Sequence, residues 1–84
     1  MKQYILDDFT NVDMSDLKLP VITVFYNTLD IPNKYAARLL DANQPTNVVV
    51  IKDTLDEIRN IIPPHYTCLN RDPSDPPTMI ETWL

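Results

Sequence analysis

His65 and Cys68 stand three residues apart, and few other pairs in this chain could do covalent or metal chemistry. Imidazole beside thiol could hold a metal ion or activate a nucleophilic sulfur. A structural zinc site takes four ligands, and the chain has no second His or Cys. Carboxylates would have to complete the set, and no spacing points to them. A Cys–His nucleophile would also need an oxyanion loop. The plainer reading places His65 in a turn after Pro64 and Cys68 as a small buried hydrophobe. We therefore expect no catalytic residues, no metal and no cofactor.

Asp7, Asp8, Asp13 and Asp16 form an acidic run near the N-terminus. Divalent cations bind such residues when they follow an EF-hand spacing with a turn glycine, which this segment lacks. The same charge suits docking on a basic protein surface. Arg38, Arg59 and Arg71 are the candidates for an anionic ligand, because a guanidinium grips phosphate with paired hydrogen bonds. Tyr35, Tyr66 and Trp83, with Tyr26, would supply aromatic anchors for a protein contact or pack in the core.

The net charge of −5 is unevenly spread over the 84 residues. Residues 1–17 set Lys2 against the four aspartates, and residues 72–84 carry Asp72, Asp75 and Glu81 with no base. Acid at both ends argues against direct binding to nucleic acid, which needs clustered Lys and Arg. There is no glycine. The phosphate-cradling loops, dinucleotide fingerprints and nucleophile elbows all require it, so the common nucleotide-hydrolysing, hydride-transferring and α/β-hydrolase enzymes are excluded. Backbone positions with positive φ must then fall to Asn or Asp. No apolar run is long enough for a membrane span, and Asp7 and Asp8 interrupt the segment where an export signal would sit. A single cysteine excludes an internal disulfide and fits a reducing cytoplasm, the expected location.

The elements that would position these residues follow from the apolar pattern. Residues 1–19 read as an acidic N-terminal extension with a short strand or turn around Tyr4–Phe9. Residues 20–84 form a single domain. Val21–Tyr26 is rich in β-branched and aromatic residues and predicts a strand. Lys34–Asp41 admits helix or strand; the hairpin-length link to Val48-Val49-Val50-Ile51, with an Asn able to take positive φ, favours strand. Thr54-Leu55-Asp56-Glu57 is a capping box opening a helix with Leu55, Ile58, Ile61 and Ile62 on one stripe, stopped by Pro63-Pro64. Tyr66–Asn70 and Thr78–Leu84 predict two further strands. The order β-β-β-α-β-β predicts an α+β fold: a small, mostly antiparallel sheet with one helix on one face. A domain this small buries little surface, so a homo-oligomer is expected.

From Tyr26 onward the chain resembles a group of small uncharacterised proteins of Gram-positive phages and prophages. The resemblance rests on Lys34-Tyr35-x-x-Arg38-Leu39-x-Asp41, Pro45-Thr46, Asp53-Thr54-Leu55-x-Glu57-x-Arg59, Ile62-Pro63-Pro64, Arg71-x-Pro73-x-Asp75-x-Pro77 and Glu81-x-Trp83-Leu84. In that group Gly often precedes the Lys-Tyr pair and follows the Pro-Pro pair; here those places hold Asn33 and His65. None of these motifs is catalytic. The resemblance implies a non-catalytic binding protein that inhibits a bacterial host factor, such as a defence-system protein. Asp7, Asp8, Asp13, Asp16, Tyr35, Tyr66 and Trp83 would make the contact. Two alternatives stay open. One is an oligomer sequestering an anionic nucleotide signal through Arg38, Arg59 and Arg71. The other is an antitoxin-like binding module, since the helix opening Asp-Thr-Leu-x-Glu is similar to antitoxins of the HicB type.

Overall fold

The computed structural model describes residues 4–9, 12, 15, 17–42, 44–69, 73–74 and 77–84. Its strands are β1 (Tyr4–Leu6), β2 (Pro20–Tyr26), β3 (Tyr35–Asp41), β4 (Gln44–Lys52), β5 (Cys68–Leu69) and β6 (Met79–Trp83), and its helix is α1 (Leu55–Ile61). They form one sheet in the order β1-β4-β3-β2-β6-β5 with α1 packed on it. The fold is α+β and mostly antiparallel, as the sequence predicts. Lys34–Asp41 resolves to strand, because Tyr35 to Asp41 pair residue by residue with β2.

One parallel pair departs from that pattern. β1 lies beside β4 with Tyr4 opposite Val48 and Leu6 opposite Val50. The N-terminal segment also delivers Phe9, only 3% exposed, to the main core. That core joins Phe9 to Ile22 and Val24 of β2, Ala37 and Leu39 of β3, Val50 of β4, Ile58 of α1 and Ile62. Side chains alternate along a strand, so the residues between these point to the other face. There Ile31, from the β2–β3 loop, packs on Ala36 and Val49.

Leu39 drops out of the paired register between β3 and β4, a bulge that interrupts the ladder. The Thr46 hydroxyl donates to the Leu39 carbonyl at 2.6 Å, and the Val48 N–H donates to Thr46 Oγ1 at 3.2 Å. A side chain thus replaces a missing ladder bond. The α1 capping box forms with one change from expectation. Thr54 Oγ1 accepts the Glu57 N–H at 3.2 Å, but the Glu57 carboxylate returns to the Thr54 hydroxyl, at 3.0 Å, rather than to its backbone N–H.

Among the described residues, positive φ falls on Asn27 (57°), Asn33 (62°) and Ala42 (57°). The two asparagines follow the glycine-free expectation. Ala42 does not: it takes positive φ in the β3–β4 hairpin, next to Asn43, the asparagine expected to do so, which lies outside the described residues. Its N–H donates to the Leu19 carbonyl at 2.7 Å, while the Leu19 N–H donates to Asp41 Oδ1 at 2.9 Å. Those bonds tie the hairpin to the entry of β2 and hold Ala42 in a conformation it would otherwise avoid. The strands expected over Tyr66–Asn70 and Thr78–Leu84 are shorter than expected, at Cys68–Leu69 and Met79–Trp83.

Candidate protein-binding surface

The link between β2 and β3, residues 27–34, is closed at its base by hydrogen bonds. The Asn27 N–H donates to the Lys34 carbonyl at 3.0 Å, and Asn27 Oδ1 accepts the Asn33 N–H at 2.8 Å. Left-handed backbone at both asparagines makes this closure geometrically possible. Inside it, the Ile31 N–H reaches the Thr28 carbonyl at 3.2 Å and the Thr28 hydroxyl donates to Asp30 Oδ1 at 2.8 Å. Arg38 Nη2 on β3 donates to Asp30 Oδ2 at 2.6 Å. Lys34 pairs with Asp53 at the start of the helix. The Thr28 hydroxyl first, then the Asp30 backbone and Arg38, outweigh burial and hold the Asp30 carboxyl below its ordinary value. Ile31 anchors the loop in the second core cluster. At its tip Leu29 is 105% exposed, as open as in an isolated extended chain.

A second feature is a cleft of about 450 Å³ where the N-terminal segment meets the end of α1. Phe9, Ile61, Ile62, Pro63 and Pro64 give its apolar lining, and Asp8, Asn60 and His65 its polar lining. Pro63 and Pro64 have no N–H. The Ile62 N–H goes to the Arg59 carbonyl at 3.4 Å. Ile62 itself is extended, and Pro63 and Pro64 carry the chain out of the helix.

Arg38 and Arg59, two of the expected arginine trio, do not converge. Arg38 lies on the face opposite α1 and pairs with Asp30. Arg59 leaves α1 and grips Glu81 of β6 through Nε to Oε1 at 3.2 Å and Nη2 to Oε2 at 3.1 Å. Glu81 is 6% exposed and also accepts from Trp83 Nε1 at 3.2 Å and from the Cys68 thiol at 3.5 Å. Burial pushes the Glu81 carboxyl up, but hydrogen bonds from Arg59 and Trp83 and the Arg59 charge outweigh it and hold it below its ordinary value. Arg71, Asp13 and Asp16 lie outside the described residues. Asp7 is exposed and Asp8 half-buried at the cleft.

The aromatics divide as well. Tyr35 sits 4.6 Å from Tyr26, ring centre to ring centre, at one end of the β2–β3 pair. Trp83 is opposite Ile22 on β2, four residues before Tyr26, or about 13 Å away at strand rise. Tyr66 packs against the main core, where burial pushes its phenol up. All three are half-buried, and Tyr35 and Trp83 lie on the side of the sheet that α1 covers. His65 and Cys68 do not meet. His65 lines the cleft and sits edge-on to Tyr66, with ring centres 4.8 Å apart. Cys68 is exposed rather than buried as expected, because β5 is the edge strand. Its thiol is pushed up by burial first and then by the Glu81 charge, away from nucleophilic use. Among the described residues no group of three His, Cys, Asp or Glu could hold a metal ion, and no helix is long and apolar enough to cross a membrane.

Leu29 and the cleft are the features that sequence reasoning missed. The sequence of residues 29–33, with Pro32, predicts no more than a loop. Two asparagines bracketing a proline in a glycine-free chain were the signal that it is a built one. Comparison with protein-family models, with curated proteins and with solved structures finds no match to this chain.

Proposed function

We propose that this chain is a non-catalytic binding protein that docks through the β2–β3 loop, with Leu29 as the anchor. The observation that carries the reading is a fully exposed leucine on a loop fixed at both ends. Seating such a side chain in an apolar pocket gains about 1.5–3 kcal/mol, and a loop already ordered loses little entropy on binding. Following the phage resemblance, the partner is a bacterial host protein, such as a defence protein, whose action the complex blocks. The acidic N-terminal segment fits a partner with a basic surface. The nucleotide-sequestering alternative has less support, because Arg38 and Arg59 each spend their charge on a carboxylate of their own chain. Self-association belongs to the proposal through the open edges at β1 and β5. Sedimentation at about 100 μM, where a weak dimer forms, tests it.

Paired affinity capture from a bacterial lysate tests the loop, with wild type and Leu29→Asp as baits. Leu29 touches no core, so both baits should melt at the same temperature. A host protein held by the wild type and lost with Leu29→Asp is the expected result. Identical captures by both baits would remove the loop from the interface.

A further inference from the structure

We infer that β5 is a self-pairing edge: it joins the same strand of a second copy of this chain, antiparallel, about a two-fold axis at Cys68. The inference rests on the self-association reading above, gives it one edge and one register, and is independent of Leu29. The hydrogen bonds beside Cys68 fix which way its backbone faces. Thr67 and Leu84 exchange both bonds, at 2.7 Å from the Thr67 N–H to the Leu84 carbonyl and 3.0 Å in return. The next pair along the ladder is Cys68 with Trp83. Antiparallel pairs alternate between bonded and non-bonded, so the Cys68 N–H and carbonyl point away from β6. Among the described residues no strand lies beyond β5, so both groups face the open side of the sheet. A residue presenting one donor and one acceptor matches its own copy: across a two-fold axis each N–H meets the other carbonyl.

The side chains favour a copy over a foreign strand. Residues 66–69 include no proline and no charged residue, the usual guards of an edge, whereas β1 runs directly into Asp7 and Asp8. In a chain of net charge −5, an uncharged edge lets two copies meet without setting acid against acid. A basic partner would gain nothing from it. Thr67 of one copy then stands opposite Leu69 of the other. The Cys68 thiol reaches Glu81 on the α1 side, so Leu69, 42% exposed, lies on the other face and is covered there. α1 lies against β3 and β4, well inside the sheet from β5, and leaves this edge clear for the second copy.

The test is sedimentation equilibrium and NMR of the full chain in reducing buffer, from about 10 μM to about 1 mM, a range that spans weak dimers. The wild type should form a dimer, with amide shifts that grow with concentration at Thr67, Cys68 and Leu69 and slower hydrogen exchange at the Cys68 N–H. Cys68→Ser keeps the backbone and the neutral edge and should dimerise as the wild type does. Cys68→Pro removes the outward N–H from both copies while the Thr67 and Leu84 bonds remain, and edge strands tolerate such a proline. Its dimer should be weaker by at least about tenfold, as fits two lost hydrogen bonds. Cys68→Lys sets like charges directly opposite and should weaken the dimer as well. The wild-type shifts keep the test decisive even where a variant fails to fold. Concentration-dependent shifts confined to Tyr4–Leu6, or a dimer unchanged by Cys68→Pro, would overturn the β5 pairing and leave self-association standing. A monomer at every concentration would remove both, and capture through Leu29 would be unaffected.

Discussion

Arg59 and Glu81 join the helix to the sheet by a two-pronged pair, with the guanidinium half-exposed and the carboxylate almost sealed. A buried carboxylate needs its partners, and Glu81 has three side-chain donors in Arg59, Trp83 and Cys68. Ile58 on the same helix sits in the core, so the pair fixes the helix's rotation as well as its distance from the sheet.

Acid should loosen the domain through this pair. The Glu81 carboxyl is held below its ordinary value of 4.5, so its contribution is complete above that pH and is lost as pH falls through the lower folded value. Asp30 adds the same sign from its ordinary 3.8. Melting temperature followed from about pH 7 to about pH 3 should fall more steeply for the wild type than for Glu81→Gln. Parallel curves would show that Glu81 is not the linked group.

Cys68 should react slowly with a disulfide reagent at neutral pH despite its exposed strand. Its thiol is raised by burial and by Glu81, and only thiolate attacks. Glu81→Gln removes the opposing charge and should speed the reaction.

Ala42→Gly should stabilise the domain by about 0.5–1 kcal/mol. The left-handed strain on alanine is relieved, and part of that gain is offset by glycine's greater freedom in the unfolded chain. Urea unfolding reads the difference.

Thr54→Ala should cost about 1 kcal/mol by removing the hydroxyl that caps α1. Phe9→Ala should cost about 3–5 kcal/mol, as large cavities do, and chemical denaturation should place it below every surface substitution.

Most of the fold was legible because local chemistry agreed with the tertiary outcome. Thr54 to Pro64 carries its own start, stripe and stop. Val48 to Ile51 and Val21 to Tyr26 suit only a strand covered on both faces or nearly so. β1 was harder: three residues pairing in parallel with β4 leave no alternation to read, and their partner lies far along the chain. Positive φ at Ala42 was hidden because tertiary bonds from Leu19, not the residue's own preference, impose it. The candidate surface was the least legible part. Exposure of Leu29 and the cleft that Asp8 and Pro64 both line depend on distant segments, whereas His65 with Cys68, and Arg38 with Arg59, go to separate partners once the chain is folded.

The parallel pairing of β1 also sets a timetable for synthesis. Strands β2, β3 and β4 follow one another through short links and can zip together as they leave the ribosome. Tyr4 to Leu6 emerge before these strands, yet their partners, Val48 to Val50, come much later. Phe9 waits longer still, because its core neighbours Ile58 and Ile62 follow β4. A segment made before the rest of the sheet is thus among the last of it to be placed, and a nascent chain halted before Ile62 carries an uncovered phenylalanine.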